Sequence, residues 1–276
     1  MRIIFIISFC IFSGQASCQI DSGGKRYNFT HPLPRTLLKE IETDRPDATE
    51  SAYTVAAGHF QLETDMFKQV RNKDQQFINV ESSFNLVNLK LGLTRRTDVQ
   101  VVIPTYVTSR VKERATRKIT ENQHGFGDII IRYKYNLWGY SGGKTALALL
   151  PFLLLPTAAS GSTGLQGGII IPFAWDISNK VSFGSQVGFA RAKEDGNAYH
   201  NSYLCSFTFG RSVGRKVDVF SEMLFNYNHY QARFDTYANG GIILSLTGNL
   251  NLDAGFNYGL KATSYRTFFT GISFRL

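Results

Sequence analysis

The chain has 276 residues, a net charge of +9, 13 % aromatic and only 18 % charged residues, with 25 Gly, 22 Phe and 13 Tyr. This mixture suits aromatic-rich strands joined by glycine turns and excludes a helical bundle, which would carry more Ala, Glu and Leu. The mean hydropathy of -0.13 is too low for a helical membrane protein, but a barrel crosses a bilayer at that average because only alternate side chains meet lipid.

Residues 1–18 read as a secretory signal. Arg2 supplies the positive start, Ile3 to Phe12 the apolar core, and Ser13 to Cys18 a small-residue stretch for cleavage. Gln15 stands where a lipoprotein site wants an aliphatic residue, so ordinary cleavage is preferred. Cleavage after Cys18 leaves Cys205 alone in the mature chain, which excludes an intramolecular disulfide.

Residues 19–57 lack alternation and are rich in turn formers and charge, so we expect a periplasmic extension or a plug inside a barrel. Asp44, Arg45, Asp47 and Glu50 can clamp this segment through Arg–carboxylate pairs, with Pro46 stiffening it. Anchoring is the simpler role for them, and contact with a solute the sharper one.

From Gly58 onward the sequence alternates in segments near ten residues, the length of a tilted strand crossing a bilayer. No apolar run after the signal approaches the roughly 20 residues of a spanning helix. Strands are expected over 58–69, 76–91, 97–109, 126–138, 145–156, 167–175, 180–191, 200–211, 215–227, 236–246, 249–260 and 266–276. In the eleventh, Leu250, Leu252, Ala254, Phe256, Tyr258 and Leu260 form an apolar face against Asn249, Asn251, Asp253, Gly255 and Asn257.

Short turns such as Thr94–Arg96, Ser212–Gly214 and Thr247–Gly248 alternate with longer polar connections, of which 110–125 is the longest. Short turns on one rim and long loops on the other mark an outer-membrane barrel, all-β, antiparallel and up-and-down, here of about 12 strands over residues 58–276. A β-sandwich has no reason to segregate its loops. Pro104, Pro151 and Pro172 fall in or near strands of a wall that offers no free edge. Each predicts a bulge or a local break, structural in itself or weakening the wall enough for sideways exit of an apolar molecule.

Several charges are predicted to point inward: Glu81, Arg132, Lys134, Asp218, Glu222, Asp253 and Arg275. Such residues either set the ion preference of a pore or neutralise one another. Arg110, Lys112, Arg114, Arg117 and Lys118 crowd the longest connection, where in an exported barrel they meet lipopolysaccharide phosphates or simply stay solvated, and nucleic acid is not the expected partner. An enzyme is the main rival, since a barrel can carry a lipid hydrolase. Its tempting sets are His200 with Ser202, and His229 with Asn226 and Asn228. No Gly-x-Ser-x-Gly elbow, His-Glu-x-x-His site or phosphate loop is present, so neither catalysis, metal nor cofactor is expected. A structural or adhesive barrel is a third reading.

Residues 42–51, Glu-Thr-Asp-Arg-Pro-Asp-Ala-Thr-Glu-Ser, resemble the opening motif of a bacterial family named for the MetA-pathway of phenol degradation. Tyr53-Thr-Val55, Gly58-His-Phe60 and Gln61-Leu-Glu63 continue it. Leu91 to Val99 resembles the family's turn after the second strand, Gly125-Phe-Gly-Asp128 the start of its fourth, and Ala146 to Pro151 with Leu155-Pro-Thr157 its fifth. The sequence departs from the family where Thr157 leads into Ala158-Ala-Ser-Gly161. The resemblance implies an outer-membrane barrel that passes small molecules, aromatic or hydrophobic ones among them, by diffusion.

Overall fold

The computed structural model describes residues 27–73, 76–140, 142–158, 164–193, 198–261 and 264–276; the expected signal, residues 1–18, lies outside them. Strands β1 (Phe60–Lys73), β2 (Phe77–Gly92) and β3 (Thr97–Glu113) are followed by β4 (Ile119–Gly125), β5 (Ile129–Trp138) and β6 (Thr145–Leu155). Then come β7 (Gln166–Ser178), β8 (Val181–Lys193), β9 (Tyr199–Ser212) and β10 (Val217–Asn228). The last are β11 (Arg233–Thr247), β12 (Leu250–Gly259) and β13 (Arg266–Arg275). One 3-10 turn, Arg35–Leu37, precedes them.

Every neighbouring pair is antiparallel, and β13 returns to β1 with Gln61 opposite Arg275, which closes the sheet on itself. β4 and β5 share one place in the ring: β3 pairs with β5 from Thr97 to Val102 and with β4 from Val107 to Lys112. The ring is therefore twelve strands wide. Closure leaves no row of unpaired backbone groups facing lipid, which is the condition for a sheet to stand in a bilayer.

Alternation decides which side chain meets which solvent. On β13, Phe269 and Ser273 are buried in the lumen while Phe268 is 52 % exposed on the outside. Outward aromatics pack from strand to strand, as Phe183 does in a tilted pair with Phe209, centroids 5.0 Å apart. A surface this apolar would aggregate in water and is at rest only in lipid. Against β13, β1 carries one extra residue between Asp65 and Phe67. Beyond that bulge Phe67, Gln69 and Arg71 share the outer face of Thr270, Phe268 and Arg266.

The stretch 110–125 is not a long loop. β3 runs to Glu113, a short turn follows, and β4 returns along it, extending the wall beyond the bilayer. Ile119–Gly125 carries Thr, Glu, Asn, Gln and His, with no apolar face to betray a strand, because this part of the wall meets water on both sides. The prolines sit where the ladders are interrupted. The β5–β6 ladder skips between Arg132–Phe152 and Tyr135–Leu149, beside Pro151, and the β6–β7 ladder skips between Leu147–Phe173 and Leu150–Ile170, beside Pro172. Near Pro104, Asn85 takes a positive φ of 52°, and the Pro104 carbonyl accepts the N–H of Gly127 (3.0 Å).

Candidate functional site

Segment 42–55 runs through the ring and is held by lumen-facing side chains from almost every side. Asp44 receives the ammonium groups of Lys90 (2.5 Å) and Lys134 (2.6 Å) and the backbone N–H of Ser51 (2.9 Å). Lys90 also pairs with Glu63, whose carboxylate accepts the N–H of Asp44 (3.1 Å). Arg45 grips Asp253 through two bonds, Nε at 3.1 Å and Nη2 at 2.6 Å, and pairs with Asp65 through Nη1. A two-pronged Arg–carboxylate contact fixes orientation as well as position.

The next turn of the segment crosses to the opposite wall. Glu222 accepts the N–H of Ala48 (3.0 Å) and the hydroxyl of Thr49 (2.5 Å), while Asn239 steadies it at 2.5 Å. Gln186 donates to the Ala48 carbonyl (2.7 Å) and accepts the N–H of Glu50 (2.9 Å). Glu50 pairs with Arg132 (2.8 Å), Asn136 donates to the Ala52 carbonyl (2.7 Å), and Asp98 accepts the N–H of Val55 (3.0 Å). Ala52 packs on Ala146 and Ala148, whose small side chains let the segment lie flat on β6. A strand-free segment inside a barrel must satisfy its own backbone donors and acceptors, and these wall residues do so.

The charges are tuned by this packing. Burial alone would raise the Asp44 carboxyl, but the ammonium groups of Lys134 and Lys90 overturn it and hold it well below the usual carboxylate range. Among the described residues Asp47 has no such cation. Burial and then the neighbouring Glu222 carboxylate push it well above its ordinary value, with the Thr208 hydroxyl opposing. Burial also raises Glu50, partly offset by Arg132.

Of the residues singled out from sequence, Asp44, Arg45, Glu50, Arg132, Lys134, Glu222 and Asp253 meet in this cage, with Asp47 beside Glu222. Asp218 lines a cavity of about 450 Å³ left between the segment and the wall from β7 to β12. Arg275 lies at the rim of the short turns, bonded to Asn249 and to the carbonyl of Lys39. Glu81 is exposed far up β2, apart from the cage. The sequence reading missed Lys90, Glu63, Asp65, Asp98, Gln186 and Asn136. Their signal was available: Gln61, Glu63 and Asp65 alternate on the polar face of β1, as Asn88 and Lys90 do on β2.

Outward of the cage the lumen changes character. On five strands an inward residue outward of the cage is apolar, Val102 on β3, Ile130 on β5, Leu204 on β9, Leu224 on β10 and Phe269 on β13, whereas Asn88 follows Lys90 on β2 and Gly255 follows Asp253 on β12. Register carries this collar across neighbouring strands, Ile130 lying opposite both Val102 and Leu154, and Gly188 between Ile170 and Leu204.

The residues considered for catalysis are differently engaged. Ser202 donates to Asn226 (3.2 Å), whereas His200 Nε2 meets the Asn228 amide (3.4 Å), so hydroxyl and imidazole each face an asparagine. Among the described residues no three His, Cys, Asp or Glu side chains are grouped to hold a metal.

A family model described as "Putative MetA-pathway of phenol degradation" matches residues 43–276. Among solved structures, an outer membrane channel from Pseudomonas putida F1 aligns with a TM-score of 0.61 at 11 % identity, covering 85 % of this chain and 100 % of that one. The NanC porin aligns with a TM-score of 0.51 at 10 % identity, covering 78 % and 100 %. The translocator domain of the autotransporter NalP from Neisseria meningitidis aligns at 0.50 with 8 % identity, covering 80 % and 90 %. At these identities the likeness is one of fold. No match was found among curated proteins.

Proposed function

The chain belongs to the MetA-pathway phenol-degradation family, and from that membership we propose that it is an outer-membrane channel for passive passage of small molecules, hydrophobic and aromatic ones in particular. The observation that carries this reading is the order of surfaces along the lumen: an apolar collar on the outer side, then a polar cage closed on segment 42–55. This lining of Val, Ile, Leu and Phe, which covers part of the circumference, offers a solute with an aromatic or alkyl body a station out of water. A route for sugars alone would have no use for it.

Segment 42–55 is the stopper of this channel, and its cage residues are the gate. The partners are the small solute, the lipid of the outer membrane and, on the outer leaflet, lipopolysaccharide. The same fold supports lipid hydrolases, but a hydrolase needs its nucleophile on its base. Here Ser202 is turned to Asn226.

The test is flux into proteoliposomes of protein purified from outer membranes, with phenol-like solutes, sugars and amino acids compared at equal gradients. Aromatic solutes should enter faster than sugars of similar size. Absence of any flux or conductance would end the channel reading, and hydrolysis of vesicle phospholipid that is lost in His200→Ala would replace it.

A further inference from the structure

At the outer end of the wall, the register places Tyr258, Arg266, Arg71, Val80, Arg110 and Asn122 side by side on six successive strands. They form one row on one face. That face is the outside, because Phe269 and Gly271 of the same β13 touch Arg45 in the lumen and Phe268 beside them stands exposed to lipid. One step further out, Lys73, Ile78 and Lys112 make a second row on the same face. Five cations thus stand on two adjacent rows, with strands about 4.8 Å apart.

This arrangement is unfavourable by itself. Arg71 and Arg266 are directly opposite, and like charges in that position destabilise a sheet. Arg71, Arg266, Arg114 and Arg117 all repel the ammonium of Lys73. Among the described residues the acids at this height bring no relief: Glu81 adjoins Val80, Glu113 adjoins Lys112 and Glu121 adjoins Asn122, so alternation turns each to the opposite face. Arg266 is nonetheless held in place, its guanidinium 4.6 Å from the Tyr258 ring centroid and bonded to the Tyr258 hydroxyl (3.0 Å).

Resting on the outer-membrane reading, we propose that the outward face of β13, β1, β2 and β3 is a binding site for the phosphate groups of lipid A, with Arg71 and Arg266 sharing one phosphate and Arg110, Lys112 and Lys73 flanking it. The site sits just beyond the exposed Phe268 and Phe256, where an acyl-chain region would give way to headgroups. Two arginines across one strand gap present a pair of forks to a tetrahedral oxyanion, which their mutual repulsion then favours.

The experiment titrates the purified protein in detergent micelles with bis-phosphorylated lipid A, with lipid A lacking both phosphates, and with phosphatidylglycerol. The Arg71→Gln/Arg266→Gln double variant should bind bis-phosphorylated lipid A about tenfold more weakly. Arg191→Gln/Lys193→Gln, on β8 across the ring, should change binding by less than about twofold. Equal losses in both variants, or phosphatidylglycerol binding as tightly as lipid A, would overturn the site. Thermal unfolding without lipid A gives a second readout. The Arg71→Gln/Arg266→Gln variant should unfold at the same or a higher temperature, since repulsion is relieved. A lower temperature would mean that the pair is structural. Lipid A binding that survives while solute flux is absent would leave this site standing and remove the channel, so the two readings fail separately.

Discussion

Gly271 and Arg45 share one volume: a Cβ at position 271 would fall within the guanidinium that lies across the β13 backbone. Arg45 reaches Asp65 and Asp253 only because that position is bare, and its guanidinium rests 5.7 Å from the Phe269 ring centroid. Gly271→Ala should push the guanidinium off two carboxylates that pair with no other cation among the described residues, and removing one partner of a buried pair costs about 3–5 kcal/mol. The stopper should loosen while the barrel stays folded. Single-channel conductance in planar bilayers is expected to rise several-fold with strand content by circular dichroism unchanged; a wild-type conductance would show that Arg45 does not need this seat.

Asp44 holds two buried ammonium groups, and Lys134, only 1 % exposed, has no other carboxylate within ion-pair distance among the described residues. Asp44→Asn leaves that charge uncompensated, again at about 3–5 kcal/mol. Amide exchange across 42–55 should quicken by at least tenfold, whereas exchange in β9 and β10 should stay slow. Uniform quickening across the barrel would mean that the cage supports the whole wall rather than the stopper.

The acids of the segment act in opposite senses as pH changes. Asp44 is held low when docked, so its contribution to closure is fully present above the free carboxylate value of about 3.9 and is lost as pH falls through its lower docked value. Asp47 is held high when docked, so docking binds its proton more tightly. Its contribution is present below about 3.9 and lost as pH rises through the docked value. Closure should therefore be tightest in mild acid, with conductance rising on both sides. Asp47→Asn should flatten the limb toward neutral pH and spare the acid limb; an unchanged neutral limb would clear Asp47 of this role.

The wall was legible in sequence because lipid outside and water inside impose a two-residue period, as in Leu250 to Leu260. The same argument shows why β4 was read as loop: above the bilayer Thr120, Glu121, Asn122 and Gln123 have water on both faces and no reason to alternate. Asp44, Arg45 and Glu50 stood out as charges next to Pro46, yet their wall partners lie from 19 to 208 residues away and are set by strand register. Lys90 and Asp65 looked like ordinary lumen residues, since alternation reports a face and not what fills the space before it. Arg71 opposite Arg266 was beyond reach for a further reason: the bulge at Met66 changes the face of everything after it in β1.

The collar invites the most direct test of what the channel carries. Leu204 contacts the space over Gly188, where any added Cβ would lie 3.3 Å from the Leu204 Cβ, and it follows Ser206 outward from the cage. Leu204→Asn keeps the branched shape in a smaller volume and replaces an apolar surface with an amide that water will solvate. Burying a leucine-sized side chain is worth about 1.5–3 kcal/mol, and a solute resting on this collar gains part of that from Leu204. Influx of a phenol-like solute into proteoliposomes should fall by about three- to tenfold, while conductance to K⁺ and Cl⁻, which pass without resting on an apolar surface, should hold or rise. A parallel fall in both would mean that the introduced amide has narrowed the lumen, and equal aromatic influx in wild type and variant would mean that the solute takes another path.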